Sequence, residues 1–239
     1  MALLEICADG VASALAAEKA GAHRIELCVS LESGGLTPSA AMLAFVRRQI
    51  NIPVHVLVRP RRGNFIYSSQ EATIMLSDIN TIRDLGFEGV VVGTLDKQGK
   101  LDQALMHDLM QAAAEMSVTF HRAIDVADQP FILIEKLIQL GVGRLLTSGG
   151  YPTALEGSAQ IAAYQQAFGS HISIMAGSGV HSSNVRQLIN TTGITEVHAS
   201  AKSKQITEVQ HQIHPVLAED HWTFEPDPEE VKALLSALL

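Results

Sequence analysis

The chain lacks the features of secreted, membrane and nucleic-acid-binding proteins. Its 239 residues include only two cysteines, Cys7 and Cys28, too few for a disulfide scaffold. No apolar run approaches the ~20 residues that cross a bilayer, and the first residues lack the basic and apolar segments of a signal peptide. Seventeen Lys and Arg against 25 Asp and Glu give a net charge of −8, so no basic face for nucleic acid is expected. These absences predict a cytoplasmic protein that binds neither membranes nor nucleic acids.

The length and composition that remain are those of one large globular domain. The chain is 47% hydrophobic and 18% charged, which excludes long disordered segments. Its length is close to the ~250 residues typical of a (β/α)8 barrel. A chain of this size buries about three-quarters of its unfolded surface, so it needs neither a disulfide nor a structural metal for stability.

Short β-rich segments alternate with helical segments along the whole chain. The predicted strands are Leu3–Asp9, His23–Val29, Val54–Arg59, Gly89–Leu95, Val118–Ala123, Arg144–Gly149, Ser173–Gly177 and Glu196–Ser200. The predicted helices are Val11–Ala20, Ser39–Gln49, Ser69–Leu85, Leu101–Met116, Pro130–Leu140, Ala154–Phe168, Ser182–Thr191 and Pro228–Leu239. Because each return to the same end of a sheet needs a crossover helix, this alternation predicts a parallel sheet.

A glycine recurs where a helix gives way to the next strand. Gly21, Gly86, Gly141 and Gly193 each stand before an apolar residue, a pattern typical of left-handed helix ends. A doubly wound open sheet uses the same building block, but the first strand is not followed by GxGxxG and eight strands favour closure. We therefore predict a single-domain (β/α)8 TIM barrel over 1–239, with its motifs in 3–202, a long loop at 203–225 and a closing helix at 226–239.

Alternate residues on strands covered by helices face the barrel interior. The predicted interior set is Glu5, Cys7, Arg24, Glu26, Cys28, His55, Leu57, Arg59, Thr119, His121, Glu196, His198 and Ser200. Members near a strand's carboxyl end collect at the mouth, where barrel enzymes hold their catalytic groups. A structural polar core is the simpler interpretation for any one of them. Their convergence on one open end favours a functional site.

The two cysteines are predicted on neighbouring strands, ~4.8 Å apart in backbone spacing and offset by about one residue. Two thiolates at this range suit a soft ion of low coordination number, Cu(I) before Zn(II), because zinc prefers four ligands. No CxxC or His-rich frame supports the pair, and a buried cysteine is usually a small hydrophobe. A disulfide between Cys7 and Cys28 is allowed by geometry but is not expected in the cytoplasm.

Cationic residues and glycine-rich turns follow several predicted strand ends. The cations are Arg59, Arg61, Arg62, Arg122, Lys202 and Lys204, and the turns are Ser148-Gly149-Gly150 and Gly177-Ser178-Gly179. Backbone N–H groups in such turns and at a helix N-terminus favour an anion, although the turns also need Gly and Ser for conformation alone. Many barrels bind phosphate after strands seven and eight. We predict an anion site formed by Arg59, Arg61, Ser148, Gly149, Ser178, Gly179 and Lys202.

Three histidines, His211, His214 and His221, follow the last predicted strand. Adventitious metal binding is one interpretation of this cluster. Solvated loop histidines are the favoured one.

A set of motifs, in this order, closely resembles the CutC copper-homeostasis family. They are Glu5-Ile-Cys7, Arg24-Ile-Glu26-Leu-Cys28, Gly34-Gly-Leu-Thr-Pro-Ser39, Arg59-Pro-Arg61, Phe120-His-Arg-Ala123 with Asp125, Leu146-Thr-Ser-Gly149 and Val197-His198 with Ser200-Ala201. Each motif alone is unspecific, but their combination across residues 3–202 is specific.

The resemblance implies a cytoplasmic barrel, a dimer or larger homo-oligomer, and a role in copper tolerance with Cys7 and Cys28 as Cu(I) ligands. This sequence also departs from the family pattern. Arg62 and Asn64 stand where the pattern has Gly and Asp, so no role that needs a carboxylate at position 64 is expected. The segment after Lys202 lacks the family's Met-Arg-Tyr-Arg-Asn-like stretch, so that rim is expected to differ.

Two functional hypotheses follow. In the first, the partner is a copper ion held as Cu(I) by Cys7 and Cys28. In the second, the chain is an enzyme acting on a small phosphorylated or carboxylated metabolite. Arg59, Arg61 and Lys202 would then hold the anion, His121 would be a general acid or base, and Glu5 or Glu26 would orient it. A purely structural role ranks third, and the residues name neither a substrate nor a reaction.

Overall fold

Eight parallel strands close into a barrel. The computed structural model of the chain describes residues 2–206 and 222–239, with side chains described except at 204–206 and 222–224. The barrel strands are β1 (Leu3–Asp9), β2 (Arg24–Cys28), β3 (Val54–Leu57), β4 (Gly89–Val92), β5 (Ser117–Phe120), β6 (Arg144–Thr147), β7 (Ser173–Ala176) and β8 (Glu196–Ala199). Each strand pairs in parallel with the next, and β8 pairs with β1. The prediction of a (β/α)8 TIM barrel is confirmed.

Helices follow the strands. They are α1 (Val11–Ala20), α2 (Ala40–Gln49), α3 (Ser69–Asp84), α4 (Gln103–Ala113), α5 (Pro130–Gln139), α6 (Ser158–Phe168), α7 (Val185–Thr192) and α8 (Pro228–Ala237). Their buried residues join the outward-facing strand residues in one apolar core, in which Ile25, Val56 and Phe120 are fully buried. In the described part of the chain, no helix is both long and apolar enough to span a bilayer.

The glycines that follow four of the helices adopt the left-handed conformation. Gly21, Gly86, Gly141 and Gly193 have φ of 96°, 80°, 82° and 72°. This conformation carries little cost without a Cβ atom, so the sequence pattern located these helix ends correctly.

Several predicted strands extended too far at their carboxyl ends. β3 ends at Leu57 and β5 ends at Phe120, so Arg59 and His121 lie just past the paired strand residues. The Arg59 N–H, for example, donates to the Thr37 hydroxyl at 2.8 Å. Arg59 and His121 therefore belong to the turns that follow these strands.

The segment after the barrel contains a small antiparallel sheet. β9 (Lys202–Ile206) pairs with β10 (Trp222–Pro226), so the segment 203–225, predicted as a long loop, has strand residues at both of its ends. Lys202-Ser-Lys-Gln-Ile206 lacks the apolar alternation of a half-buried strand, and therefore gave no signal. The closing helix begins at Pro228, the start of the last predicted helix, and ends at Ala237. His211, His214 and His221 lie outside the described residues, as does the side chain of Lys204.

Gly157 lies directly before α6 and against the turn that follows β6. A Cβ atom there would be 1.9 Å from the Ser148 carbonyl oxygen. Because that oxygen belongs to the backbone, Gly157→Ala should lower the free energy of unfolding by about 1–3 kcal/mol, measured by urea denaturation. Gly143→Ala is the control, since its nearest atom, the Val118 carbonyl oxygen, is 3.9 Å away. Equal losses in the two variants would contradict the prediction.

Candidate functional site

A cavity of about 610 Å³ opens at the carboxyl ends of the barrel strands. Its volume lies within the roughly 300–1,000 Å³ of small-molecule sites. The predicted site residues that line it are Cys7, Glu26, Arg59, His121, Ser178, Gly179 and Lys202. The predicted residues outside its lining are Cys28, Arg61, Ser148 and Gly149. The cavity therefore joins part of the thiol site to part of the anion site.

The two cysteine sulfurs lie side by side, 3.7 Å apart. The register pairs Cys7 with Glu26 and Asp9 with Cys28, an offset of two residues and not the expected one. Two inward-facing residues on paired strands must be offset by an even number, because inward side chains recur at every second residue. Gly35 covers Cys28, since a Cβ atom at Gly35 would be 3.5 Å from its sulfur. Cys7 thus faces the cavity, and Cys28 lies behind it.

The thiol of Cys7 is protonated at neutral pH. The hydrogen bond with Cys28, burial, and the charges of Glu26 and Glu5 all raise the pKa of Cys7 well above its ordinary value. A thiolate at this position needs a cation to replace the proton.

A buried ionic network lies beneath the thiols. The Glu5 carboxylate is bound by Arg24 Nε and lies 2.8 Å from His198 Nδ1. Arg24 also reaches Glu196 at 2.7 Å, and Arg144 reaches Glu196 at 2.6 Å. Burial alone would raise the pKa of Glu5, but the His198 hydrogen bond and the Arg24 charge hold it well below its ordinary value. Glu5 is therefore a permanent anion in the barrel floor.

Glu26 is a buried carboxylate that forms no ion pair with the described side chains. It is 5% exposed, its Oε1 lies 3.6 Å from Cys7 Sγ, and its Oε2 has no hydrogen-bond partner among the described residues. Burial raises the pKa of Glu26. Burial alone would lower the pKa of His198, but the charge of Glu26 and the hydrogen bond to Glu5 raise it above its ordinary value.

Arg59 brings a buried positive charge to the same cavity. Its Nη1 donates to the Ser33 and Gly35 carbonyls, and its Nη2 donates to the Gly63 carbonyl, at 2.9–3.0 Å. Its guanidinium lies 5.3 Å from the centre of the Phe65 ring. None of the ion pairs among the described side chains involves Arg59, and its buried Nε has no partner there. This guanidinium is held in place by carbonyls while its charge stays uncompensated.

His121 is a neutral hydrogen-bond donor. The Ala123 N–H donates to His121 Nδ1 at 3.1 Å, which places the ring proton on Nε2. That Nε2 is buried without a partner among the described residues. Burial and the charge of Arg59 lower the pKa of His121 to about 3. This environment favours a neutral donor over the general acid or base expected from the sequence.

Arg61 organises the neighbouring loop. It binds Glu71 of α3 at 2.5 Å, and its other nitrogens donate to the Asn64 and Ile66 carbonyls at 2.8 and 2.7 Å. The Asn64 side-chain oxygen accepts from Arg61 and from the Ile66 N–H. An amide oxygen performs this turn role, so the departure from the family's Asp leaves the loop intact.

An internal carboxylate occupies the turn after β6. Asp125 accepts hydrogen bonds from the backbone N–H groups of Ser148 and Gly150 at 3.0–3.1 Å. The Thr147 hydroxyl and Arg122 Nε bind it at 2.5 and 2.8 Å. Gly149 N–H donates to Thr147 at 2.8 Å. The donors predicted for an external anion at Ser148 and Gly149 are therefore already satisfied.

The turn between β7 and α7 binds a second internal carboxylate. Glu230 of α8 accepts from the Ser182 N–H at 2.6 Å and from the Ser182 hydroxyl at 2.8 Å. Ser182 was predicted to begin a helix, but α7 begins at Val185. Of the predicted glycine-rich turns, Ser178 and Gly179 are the part that lines the cavity.

Asp125 and His198 are the residues whose roles the sequence did not show. Asp125 appeared only as part of a family motif, and His198 was placed inside the barrel without a role. His198 lies 2.8 Å from Glu5, and its ring is within 4.8 Å of the Cys7 and Glu26 ligand atoms. These neighbours come from the opposite end of the chain. The sequence could have indicated this contact, because alternation places Glu5 and Cys7 of β1 and His198 of β8 all inside the barrel.

The depressed pKa of His121 predicts a specific acid sensitivity. The unfolded chain takes up this proton near pH 6.5, but the folded chain does so only near pH 3. Stability is therefore lost as pH falls through that interval, because the unfolded state binds more protons. His121→Gln should reduce the loss between pH 7 and pH 4.5, measured by urea denaturation. Equal losses in both proteins would contradict the assignment.

Comparisons with known proteins agree with the motifs. The model of the CutC family matches residues 2–203. A CutC family protein from Xanthomonas campestris pv. campestris is 47% identical over 216 residues, which are 90% of each chain. One from Porphyromonas gingivalis is 48% identical over 199 residues, covering 83% of this chain and 80% of that one. A solved structure from Streptococcus agalactiae, provisionally named copper homeostasis protein CutC, is 31% identical with a TM-score of 0.80. It covers 84% of this chain and 99% of that one. With the barrel and the motifs of its mouth, these matches show that the chain belongs to the CutC family.

Proposed function

We propose that this chain is a copper-homeostasis protein that binds Cu(I) as its cargo through Cys7 and Cys28. The observation that carries the proposal is a pair of free, buried thiols whose sulfurs lie 3.7 Å apart at a cavity. Thiolates are the ligands that a soft ion such as Cu(I) prefers. The provisional name of the Streptococcus agalactiae protein supports the same role.

The spacing of the sulfurs, 3.7 Å, fits one shared ion at a bent sulfur–metal–sulfur angle, and a linear Cu(I) site would need them to move apart by about 0.9 Å. With metal–sulfur bonds of about 2.3 Å, two sulfurs lie about 3.8 Å apart at a tetrahedral angle and about 4.6 Å apart across a linear ion. The observed 3.7 Å also fits a thiol–thiol hydrogen bond, which an ion would replace. Leu31, Leu57 and Val91 pack around the two sulfurs and exclude water from them. We place the protein in the cytoplasm, where reducing conditions keep adjacent thiols from forming a disulfide.

Replacing either thiol should remove tight Cu(I) binding. Hydroxyls are hard, weak ligands for a soft ion, so Cys7→Ser and Cys28→Ser should each weaken binding beyond the roughly 10–100-fold of a change outside the ligand set. Competition with a Cu(I) chelator under reducing conditions measures the affinity. Because the pKa of Cys7 is raised, protons compete with the ion, and affinity should fall as pH falls.

The matched control is His121→Gln, which alters the same cavity without touching either thiol. It should leave Cu(I) affinity close to that of the unaltered protein. An affinity that is unchanged in the double Ser variant, or flat from pH 5 to 8, would exclude these cysteines as the ligands.

An enzyme acting on a small anionic metabolite is the second candidate. It is favoured by two buried donors at one cavity, Arg59 Nε and His121 Nε2, that have no partner among the described residues. Buried donors of this kind are costly unless a ligand accepts from them. Arg59 and Lys202 would attract the anion, and His121 would donate to it. Glu26, whose pKa is raised by burial, would exchange the proton.

Inorganic phosphate tests this second candidate. It should raise the melting temperature of the unaltered chain by mass action, at constant ionic strength. The shift should vanish in Arg59→Met. Arg61→Met is the matched control, because Arg61 belongs to the same loop but does not line the cavity. A melting temperature that stays unchanged in tens of millimolar phosphate would remove this candidate. Equal phosphate-induced shifts in Arg59→Met and Arg61→Met would also remove it.

A further inference from the structure

Three potential metal ligands of different chemistry meet at the cavity floor. A Cys7 sulfur, a Glu26 carboxylate oxygen and a His198 ring nitrogen lie within 4.8 Å of one another. They come from the neighbouring strands β1, β2 and β8, and all three residues line the cavity. Cys28 is not a member of this group.

The distance between two of these atoms matches the spacing expected of two ligands of one ion. Cys7 Sγ and Glu26 Oε1 are 3.6 Å apart. Bonds of about 2.3 Å to sulfur and about 2.1 Å to a carboxylate oxygen place those atoms about 3.6 Å apart at a tetrahedral angle. The pair therefore needs little movement to bind one ion.

Glu26 supplies an independent observation that a cation belongs here. Its Oε2 is buried and has no hydrogen-bond partner among the described residues, and the whole residue is only 5% exposed. A buried carboxylate oxygen is ordinarily paired with a donor or a metal ion. None of the ion pairs among the described side chains involves Glu26.

His198 is oriented as metal-binding histidines are. Its Nδ1 is held at 2.8 Å by Glu5, which Arg24 fixes in turn, and this leaves Nε2 for an ion. A histidine that ligates a metal usually gives its other ring nitrogen to a carboxylate, which sets the ring orientation and the tautomer. Glu5 occupies that supporting position.

We propose that Cys7, Glu26 and His198 form a binding site for a divalent ion of borderline softness, such as Zn²⁺. One thiolate, one imidazole and one carboxylate suit such an ion better than Cu(I), which favours sulfur. Three protein ligands leave a fourth position, which faces the cavity between these residues and Arg59, as in catalytic zinc sites. The site shares Cys7 with the proposed copper site but does not use Cys28, so the two ions compete.

Zn²⁺ titration of the full-length, metal-free chain under reducing conditions tests the site. Cys7→Ser and Glu26→Gln should each weaken Zn²⁺ binding by roughly tenfold or more, measured by calorimetry. Cys28→Ser is the matched control, because it makes the same change at the neighbouring buried thiol. It should retain Zn²⁺ affinity while losing Cu(I), which separates this site from the proposed copper pair.

Co²⁺ gives a second readout that does not depend on affinity. The unaltered chain and Cys28→Ser should show the same thiolate-to-cobalt charge-transfer absorption, and Cys7→Ser should lack it. Circular dichroism identifies any variant that fails to fold. Zn²⁺ binding that is absent in the unaltered chain, or insensitive to both Cys7→Ser and Glu26→Gln, would overturn the site. Loss of Zn²⁺ in Cys28→Ser would assign the ion to the thiol pair instead.

Discussion

The fully buried carboxylate of Glu5 is the interaction on which the barrel mouth depends. It joins Arg24 of β2 to His198 of β8, across the place where the sheet closes on itself. Through Arg24 it connects to Glu196 and Arg144, so one chain of charges crosses the barrel floor. Removing one partner of a buried pair costs about 3–5 kcal/mol, because a charge is left uncompensated. The same contacts hold the His198 ring in place and so define the bottom of the cavity.

Two different chemistries share the cavity above that floor. One side presents sulfur, a carboxylate and an imidazole from Cys7, Glu26 and His198. The other side presents the guanidinium of Arg59 and the neutral ring of His121, with Phe65 against both. The functions proposed above assign a cation to the first group of side chains and an anion to the second. A ligand that carries an anionic group and coordinates a metal ion through another atom would satisfy both at once.

Local features of the fold could be predicted from the sequence, because they depend on neighbouring residues. The glycines after the helices and the inward parity of β1, β2 and β8 are of this kind. The offset between Cys7 and Cys28 was missed by one residue, although parity alone requires an even number.

Contacts between distant residues could not be predicted in the same way. Asp125 reaches Ser148 across 23 positions, and Glu230 reaches Ser182 across 48. Asp125 occupies a turn that the sequence assigned to an external anion, and Glu230 binds the residue predicted to begin a helix. A motif shows that donors are present, but only the tertiary structure shows what already occupies them.

The turn after β6 thus holds an anion that is covalently part of the chain. Asp125 accepts hydrogen bonds from the backbone N–H groups of Ser148 and Gly150, from two hydroxyls and from Arg122, a donor set that suits an anion. Because the carboxylate is tethered, its effective concentration at these donors far exceeds that of a dissolved anion of similar affinity. A soluble phosphate therefore competes poorly for this turn. Asp125 therefore acts as an internal brace for the turn after β6.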